Sequence, residues 1–151
     1  MRFEQVKDVL NHVIAFHCDV ACDYADMAAQ TEDVRLKMLL AYLQEHVRSA
    51  RKGLEGYIHG DAQPVLNTWL QNAPALEHPQ LLDALRKDLD VASVDTVASV
   101  AEKIQETLGD MFRTLAAQAD TDGVRELFSA LAAFQAAEVR RLARDTARFN
   151  S

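Results

Sequence analysis

The sequence predicts an all-α protein, a four-helix bundle assembled from two copies of one helical hairpin. Apolar residues recur every three or four positions along four long stretches, which is the spacing that keeps one face of a helix apolar. The three prolines lie at positions 64, 74 and 79, so none interrupts residues 1–60 or 92–151 as proline interrupts a helix. The two halves of the chain also repeat one another. We therefore expect residues 1–151 to form a single domain.

The first helix is predicted from a stripe of apolar and aromatic residues that only His17 interrupts. The stripe consists of Phe3, Val6, Leu10, Val13, His17, Val20, Tyr24 and Met27. The helix should end near Gln30, because Thr31-Glu32-Asp33 offers an N-cap and an acidic first turn for the next helix.

The second helix is expected over about residues 33–58, with Gly60-Asp61 as its stop. Its main stripe is Leu36, Leu40, Leu43, Val47, Ala50, Leu54 and Tyr57. We expect a second row to run beside this stripe, made of Val34, Met38, Ala41, Glu45 and Arg48. The row would place Glu45 and Arg48 at the edge of the core. Residues 1–59 are the first hairpin.

Residues 60–92 are predicted to be a crossover that carries short helices between the second and third long helices. All the prolines lie here, together with the only tryptophan. One short helix is expected after Pro64, with Trp69 in its apolar cluster, and another after Pro79. We expect the crossover around Val65, Leu66, Trp69 and Leu70 either to pack on the bundle or to form a homodimer contact, since an exposed tryptophan in an apolar cluster is unusual on a monomer.

The second hairpin, residues 93–149, follows the same pattern as the first. Ser93 is predicted to cap the third helix, which ends at about Gln118, and the turn Asp120-Thr121-Asp122-Gly123 precedes the fourth. The apolar stripes are Val97, Ala101, Ile104, Leu108, Met111 and Leu115, then Val124, Leu127, Phe128, Leu131, Val139 and Leu142, with Gln135 among the latter. Because the crossover is long enough to return along a helix, we expect up-down-down-up topology.

Composition and charge exclude several classes of function. The net charge is −7, which argues against a nucleic-acid partner. No apolar run approaches the roughly 20 residues of a transmembrane helix, so a membrane partner is not expected. Cys18 and Cys22 lie one turn apart, which is poor geometry for a disulfide. We expect both to be reduced and the protein to be cytoplasmic.

The repeated phrases carry a resemblance to a known family. Tyr24-Ala-Asp-Met27-Ala-Ala-Gln30 matches Phe112-Arg-Thr-Leu115-Ala-Ala-Gln118, and Val34-Arg-Leu-Lys-Met38 matches Val124-Arg-Glu-Leu-Phe128. These stretches resemble the ferritin-like superfamily, most closely its rubrerythrin-type domains. In that family the first helix of each hairpin carries a Glu seven residues before a Tyr, and the second carries E-x-x-H.

The resemblance implies that most of the ancestral dinuclear metal site has been lost. His17 and Gln105 stand where the family has Glu; Glu45 and Arg48 occupy the first E-x-x-H; Gln135 and Glu138 occupy the second. Only Glu45 matches by identity, and arginine cannot ligate a metal. His46 would re-enter the site if the alignment were displaced.

A buried polar network is expected in place of the metals. It would join Glu45, Arg48, Gln105, Gln135 and Glu138, with a protonated His17 at its edge as the second positive charge. Buried charges are costly unless they are paired, so the substitutions would compensate one another.

The sequence leads to three hypotheses about function. The first is a non-catalytic ferritin-like bundle that acts as a binding or assembly module, with no cofactor and with a homodimer possible. The second is a metalloprotein of the same fold in oxidative-stress or metal-handling chemistry, holding iron or manganese with Glu45, Glu138 and His17. The third is a small-molecule binder whose pocket lies where the metals were.

Overall fold

The computed structural model describes residues 5–60, 63–70, 78–89 and 93–149. Their helices are α1 (Val6–Gln30), α2 (Val34–His59), α3 (Gln63–Leu66), α4 (His78–Asp88), α5 (Val94–Ala117) and α6 (Asp122–Thr146), followed by a 3₁₀ turn at Ala147–Phe149. These ranges contain no strand, only one isolated bridge between Gln5 and Trp69. The all-α prediction is therefore confirmed for the described part of the chain.

Side-chain caps fix where the long helices begin. The Asp33 carboxylate accepts from the backbone N–H of Arg35 at 3.0 Å and starts α2. Ser93 and Thr121 cap α5 and α6 in the same way. Gly60 follows α2, where a Cβ would lie 2.6 Å from the Gly56 carbonyl oxygen. The predicted helix boundaries agree with these caps to within a few residues, because capping depends on local chemistry.

The long helices pack in pairs around one hydrophobic core. Helix α1 packs along α2 and α5 packs along α6, each pair being joined by a short turn, while α4 lies against α5. The predicted main stripes supply most of the core, and Leu10, Leu40, Leu108 and Phe128 are fully buried in it. Five polar residues share the interior with them: His17, Gln105, Gln135, Glu138 and Thr146.

The crossover differs from its prediction at Trp69. Helix α3 is a single turn. Leu66 belongs to the buried core, and Val65 and Leu70 pack against it, so the predicted packing on the bundle is confirmed for these three residues. Trp69 is 61% exposed, so the prediction is wrong for this residue. The backbone also holds the segment, since the N–H of Val6 donates to the Thr68 carbonyl at 3.1 Å. Arg86 of α4 donates to Asp23 of α1 at 2.8 Å.

Some predictions fall on residues that the structure does not describe. Phe3, Asp61 and Pro74 lie outside the described residues, as do residues 90–92 at the end of the crossover. Within the described ranges, no helix combines the length and the apolar character needed to cross a bilayer.

Candidate functional site

Glu45 and Arg48 do not face the core. Their side chains are 70% and 58% exposed, and they pair with each other at 2.8 Å across one turn of α2. The expected buried network through these two residues is therefore wrong. The reason is the helical angle: at about 100° per residue, Glu45 and Arg48 lie on the face opposite Leu43 and Val47.

His46 takes the interior position on α2. Its Nε2 lies 2.6 Å from Oε2 of Glu138 on α6, and the two side chains are only 6% and 5% exposed. The second oxygen of Glu138 lies 3.2 Å from Nη1 of Arg141, whose side chain reaches solvent. Glu138 is thus buried as the sequence predicted, but with His46 in place of Arg48 as its partner.

The His46–Glu138 contact is a hydrogen bond from a neutral imidazole to a carboxylate. Burial lowers the pKa of His46, and the nearby Glu138 carboxylate only partly offsets this. A neutral ring that donates through Nε2 leaves Nδ1 as its acceptor. The negative charge of Glu138 is then balanced chiefly by Arg141, which can donate a charge-assisted hydrogen bond.

His17 is buried beside this pair and is also neutral. The pKa of His17 is lowered from 6.5 to about 4, chiefly by burial; the hydrogen bond to Val13 opposes this shift, and the nearby His46 and Arg51 add to it. Its Nδ1–H donates to the Val13 carbonyl at 2.8 Å, and its Nε2 has no hydrogen-bond partner among the described residues. The expected protonated His17 is therefore wrong, because a charge at this depth would be desolvated without a counter-charge.

A second polar contact lies one turn earlier on α2 and about two turns later on α6. The Tyr42 hydroxyl donates to Asp145 at 2.7 Å, and the Tyr42 ring stacks on His46 with centroids 6.5 Å apart. Burial, and then the hydrogen bond to Asp145, raises the pKa of Tyr42. The same hydrogen bond, with help from Arg144, lowers the pKa of Asp145. Both groups are held in fixed protonation states near neutral pH.

Two adjoining grooves run along this face between α2 and α6. The first has a volume of about 410 Å³ and contains the polar contacts just described; the second has about 530 Å³, and Gly53 lines both. A Cβ at Gly53 or Gly56 would meet no other atom within 4 Å, so the floor is open there. We call this surface the α2–α6 face.

Gln105 and Gln135 line a different groove, between α5 and α6. They are 4% and 2% exposed, as expected for inward-facing residues. Neither Oε1 atom has a hydrogen-bond partner in the described part of the chain. The structure therefore does not join these amides to Glu138 in one network.

These residues do not fit the dinuclear metal centre that the family resemblance implies. Such a centre needs four carboxylates and two imidazoles from facing helices. Here Glu45 is exposed, and the two amides replace carboxylates that would bind iron or manganese better. Over the described ranges, no three His, Cys, Asp or Glu side chains converge closely enough to hold a metal ion.

His46 is the site residue that the sequence analysis placed only as an alternative. The helical spacing indicates this position, because His46 follows Leu39 by seven residues and Leu43 by three. His46 therefore lies beside the main apolar stripe of the helix. Its partner could not be inferred in this way, since Glu138 comes from a helix 92 residues later in the chain.

Comparisons of the chain with protein-family models, with curated proteins and with solved structures found no match.

Proposed function

We propose that this chain is a non-catalytic assembly module that pairs with a second copy of itself through the α2–α6 face. The observation that carries the proposal is the pair of open grooves on that face, which are lined by glycine residues of α2. The grooves extend from Tyr42 to Gly60 along α2, about 27 Å at roughly 1.5 Å per residue. A surface of this length between two helices suits the apolar side of a third helix.

The lining of the grooves favours contact with protein. Phe134 projects from α6 at the grooves with 43% of its surface exposed, although it is large and apolar. Gly53 and Gly56 allow a partner backbone to approach closely. Exposed aromatic groups beside an open groove are typical of interaction surfaces.

The charges on the face are of both signs. Glu126 lines the end near Gly60, and Arg141 lines the end near Tyr42 together with Glu45, Glu138 and Asp145. A twofold axis places each end of one copy against the opposite end of the other, so Arg141 of one copy comes to the Glu126 end of the other.

The protonation states support a non-catalytic role. General acids and bases work best when their pKa lies near the working pH. The pKa values of His46 and Asp145 are lowered and that of Tyr42 is raised. These groups stabilise the face rather than exchange protons with a substrate.

The same contacts support the up-down-down-up arrangement and the ferritin-like relationship as part of this proposal. Tyr42 contacts Asp145 and His46 contacts Glu138, so the two helices are matched in opposite directions. An antiparallel α2–α6 pair is what up-down-down-up topology requires, whereas up-down-up-down would make the pair parallel.

The test is the oligomeric state of the full chain, measured by light scattering over a hundredfold range of concentration. We expect the wild type to be a dimer. The variant Gly53→Gln/Gly56→Gln should be a folded monomer, because the longer side chains fill the grooves while glutamine favours helix. Ala41→Gln, at an exposed position of α2 that does not line either groove, is the control and should stay dimeric. A wild type that is monomeric throughout would overturn the proposal.

A metal-handling protein with a reduced site is the second candidate. It is favoured by one observation, the close approach of two good ligands, His46 and Glu138, from different helices. The first proposal predicts that protein purified without a chelator carries neither two iron nor two manganese ions. Elemental analysis that finds stoichiometric metal, lost in His46→Leu, would favour the second candidate.

A further inference from the structure

A cavity lies between the crossover and the turn that joins α5 to α6. It shares no lining residue with the two grooves of the α2–α6 face, and its volume is about 210 Å³. Trp69 and Leu70 line it from the crossover, and Ala119, Asp120 and Val124 line it from the other side. Since sites for drug-sized molecules measure about 300–1,000 Å³, this cavity suits a small molecule or a single chemical group of a larger one.

The backbone holds Trp69 beside this cavity. The N–H of Val6 donates to the Thr68 carbonyl at 3.1 Å, and Gln5 forms an isolated bridge with Trp69. The Gln5 side chain also donates to the Asn67 carbonyl at 3.3 Å. These contacts fix the main chain and leave Trp69 61% exposed. Because an exposed tryptophan forgoes the free energy that its burial would supply, its position at a cavity is typical of a binding surface.

The inner wall of the cavity is apolar. Val124 is buried, and Leu70 and Ala119 pack against the hydrophobic core. Such a wall favours the methyl groups of a ligand over a bare metal ion, because a bare ion would lose its hydration water without replacement.

Asp120 gives the cavity its charge. It is exposed, it is the only charged residue among the described residues that line the cavity, and it has no hydrogen-bond or ion-pair partner in the described ranges. The nearby Arg125 does not line the cavity, and its guanidinium donates to Asp122 at 2.6 Å and to the Ala119 carbonyl at 3.2 Å. The negative charge of Asp120 is therefore open to a cationic ligand.

We propose that this cavity binds a methylated ammonium group between the Trp69 ring and the Asp120 carboxylate. The positive charge of such a group is attracted to the face of an aromatic ring, and tryptophan is the best partner of this kind. Its methyl groups suit the apolar wall, and a quaternary nitrogen has no N–H that needs an acceptor. Choline-like small molecules and trimethylated lysine side chains share this group and are the two sources of the ligand chemistry.

The experiment uses the full-length protein and matched probes. Choline is compared with the dimethylbutanol in which carbon replaces its nitrogen, which has the same shape without the charge, and with ethanolamine, which keeps the charge without the methyl groups. Trp69 is the only tryptophan, so its fluorescence reports on the site directly. Titration should show choline binding at least tenfold more tightly than either matched probe.

A parallel titration identifies the source of the group. Acetylated trimethyllysine amide is compared with its unmethylated counterpart and with choline. Tighter binding of choline assigns the site to a free small molecule, and tighter binding of trimethyllysine assigns it to a modified protein side chain.

Three variants connect binding to the two side chains. Trp69→Leu removes the aromatic face, Asp120→Asn removes the charge at nearly constant size, and each should weaken choline binding at least tenfold by calorimetry. Trp69→Phe keeps an aromatic face and should recover part of the binding. Asp26→Asn is the control, because it removes the same charge from an exposed position of α1 outside the cavity and should bind normally. Circular dichroism checks that each variant is folded.

Two results would overturn the proposal. One is that neither choline nor trimethyllysine binds more tightly than its matched probes in the wild type, a measurement that depends on no variant. The other is unchanged binding in folded Trp69→Leu and Asp120→Asn, which would place the ligand elsewhere on the protein.

Discussion

Polar side chains are buried on both sides of α6; the Glu138 carboxylate, which faces α2, is paired, whereas the Gln135 oxygen is not. Glu138 has His46 and Arg141 as partners, whereas Gln135, less than one turn away, has no partner for its Oε1 among the described residues. The difference follows from charge. A buried carboxylate without a partner would cost several kcal/mol, so the fold must supply one, while a neutral amide costs less to leave unsatisfied. The paired side therefore satisfies its buried charge, whereas the unpaired side leaves a neutral amide oxygen without a partner in the described part of the chain.

The largest expected effect is a loss of folding stability at low pH, and it should come from the residues near the His46–Glu138 pair. His17, on α1 beside the His46–Glu138 pair, has a folded pKa of about 4 against 6.5 unfolded, so its contribution is complete above pH 6.5 and is lost as the pH falls towards 4. The unfolded chain binds the extra proton in that window, which amounts to up to about 3 kcal/mol. The lowered pKa of His46 acts in the same direction.

Urea unfolding at pH 7 and pH 4.5 measures this effect. The wild type should lose stability at the lower pH, and His17→Leu should lose much less. The amide side contributes nothing to the difference, because glutamine does not titrate. Equal pH dependence in the wild type and in His17→Leu would contradict the assignment.

Removing one partner on the paired side should have the next largest effect. His46→Leu leaves the Glu138 carboxylate buried with only Arg141, and we expect the free energy of unfolding to fall by about 2–3 kcal/mol. Glu138→Gln retains an acceptor for His46 and should cost less. The double variant His46→Leu/Glu138→Leu should recover part of the loss, since both buried polar groups are then gone. A loss below about 0.5 kcal/mol in His46→Leu, the size of an ordinary surface change, would mean the pair is not structural.

The same kind of change on the unpaired side should have the opposite sign. Gln105→Met and Gln135→Met each remove a buried, unsatisfied oxygen and should raise the free energy of unfolding by about 1 kcal/mol. Chemical unfolding, with Gln44→Met as the reference, tests this. Destabilisation by both variants would show that the amides have structural partners and would remove the contrast between the two sides.

The smallest effect is expected at Arg48. If this residue were the buried partner of a carboxylate, Arg48→Ala would cost roughly 3–5 kcal/mol. The structure places it in an exposed pair with Glu45, so we expect at most about 0.5 kcal/mol. A thermal-unfolding midpoint of Arg48→Ala close to that of the wild type would support the exposed position of Arg48. A large decrease in the midpoint would instead support the buried network predicted from the sequence.

The long helices could be predicted because the information for them is local. The stripe through Val13, Val20 and Tyr24 specifies the buried side of α1, and caps such as Asp33 and Ser93 specify where helices start. The exposure of Trp69 could not be predicted in this way. Its surroundings depend on where the crossover lies against the N-terminus of α1, which no local pattern encodes.

The candidate site was predictable in part. His17, Gln105, Gln135 and Glu138 are buried as expected, because each replaces an apolar residue within or beside a core stripe. The prediction for Glu45 and Arg48 was wrong because the row of residues that contains them lies on the exposed face of α2. The angle of His46 relative to Leu43 indicates that His46 is the inward-facing residue.

By itself, the sequence determined the all-α class, the four long helices and the identity of most buried polar residues, because these depend on periodicity and on chemistry within a few turns. Only the tertiary structure decided which buried groups meet. Glu138 pairs with His46, and the two glutamine oxygens remain without partners in the described part of the chain, because these outcomes depend on how separate helices are rotated and spaced. A difference of one residue along a helix turns a side chain by about 100°, and that rotation separates a surface ion pair from a buried one.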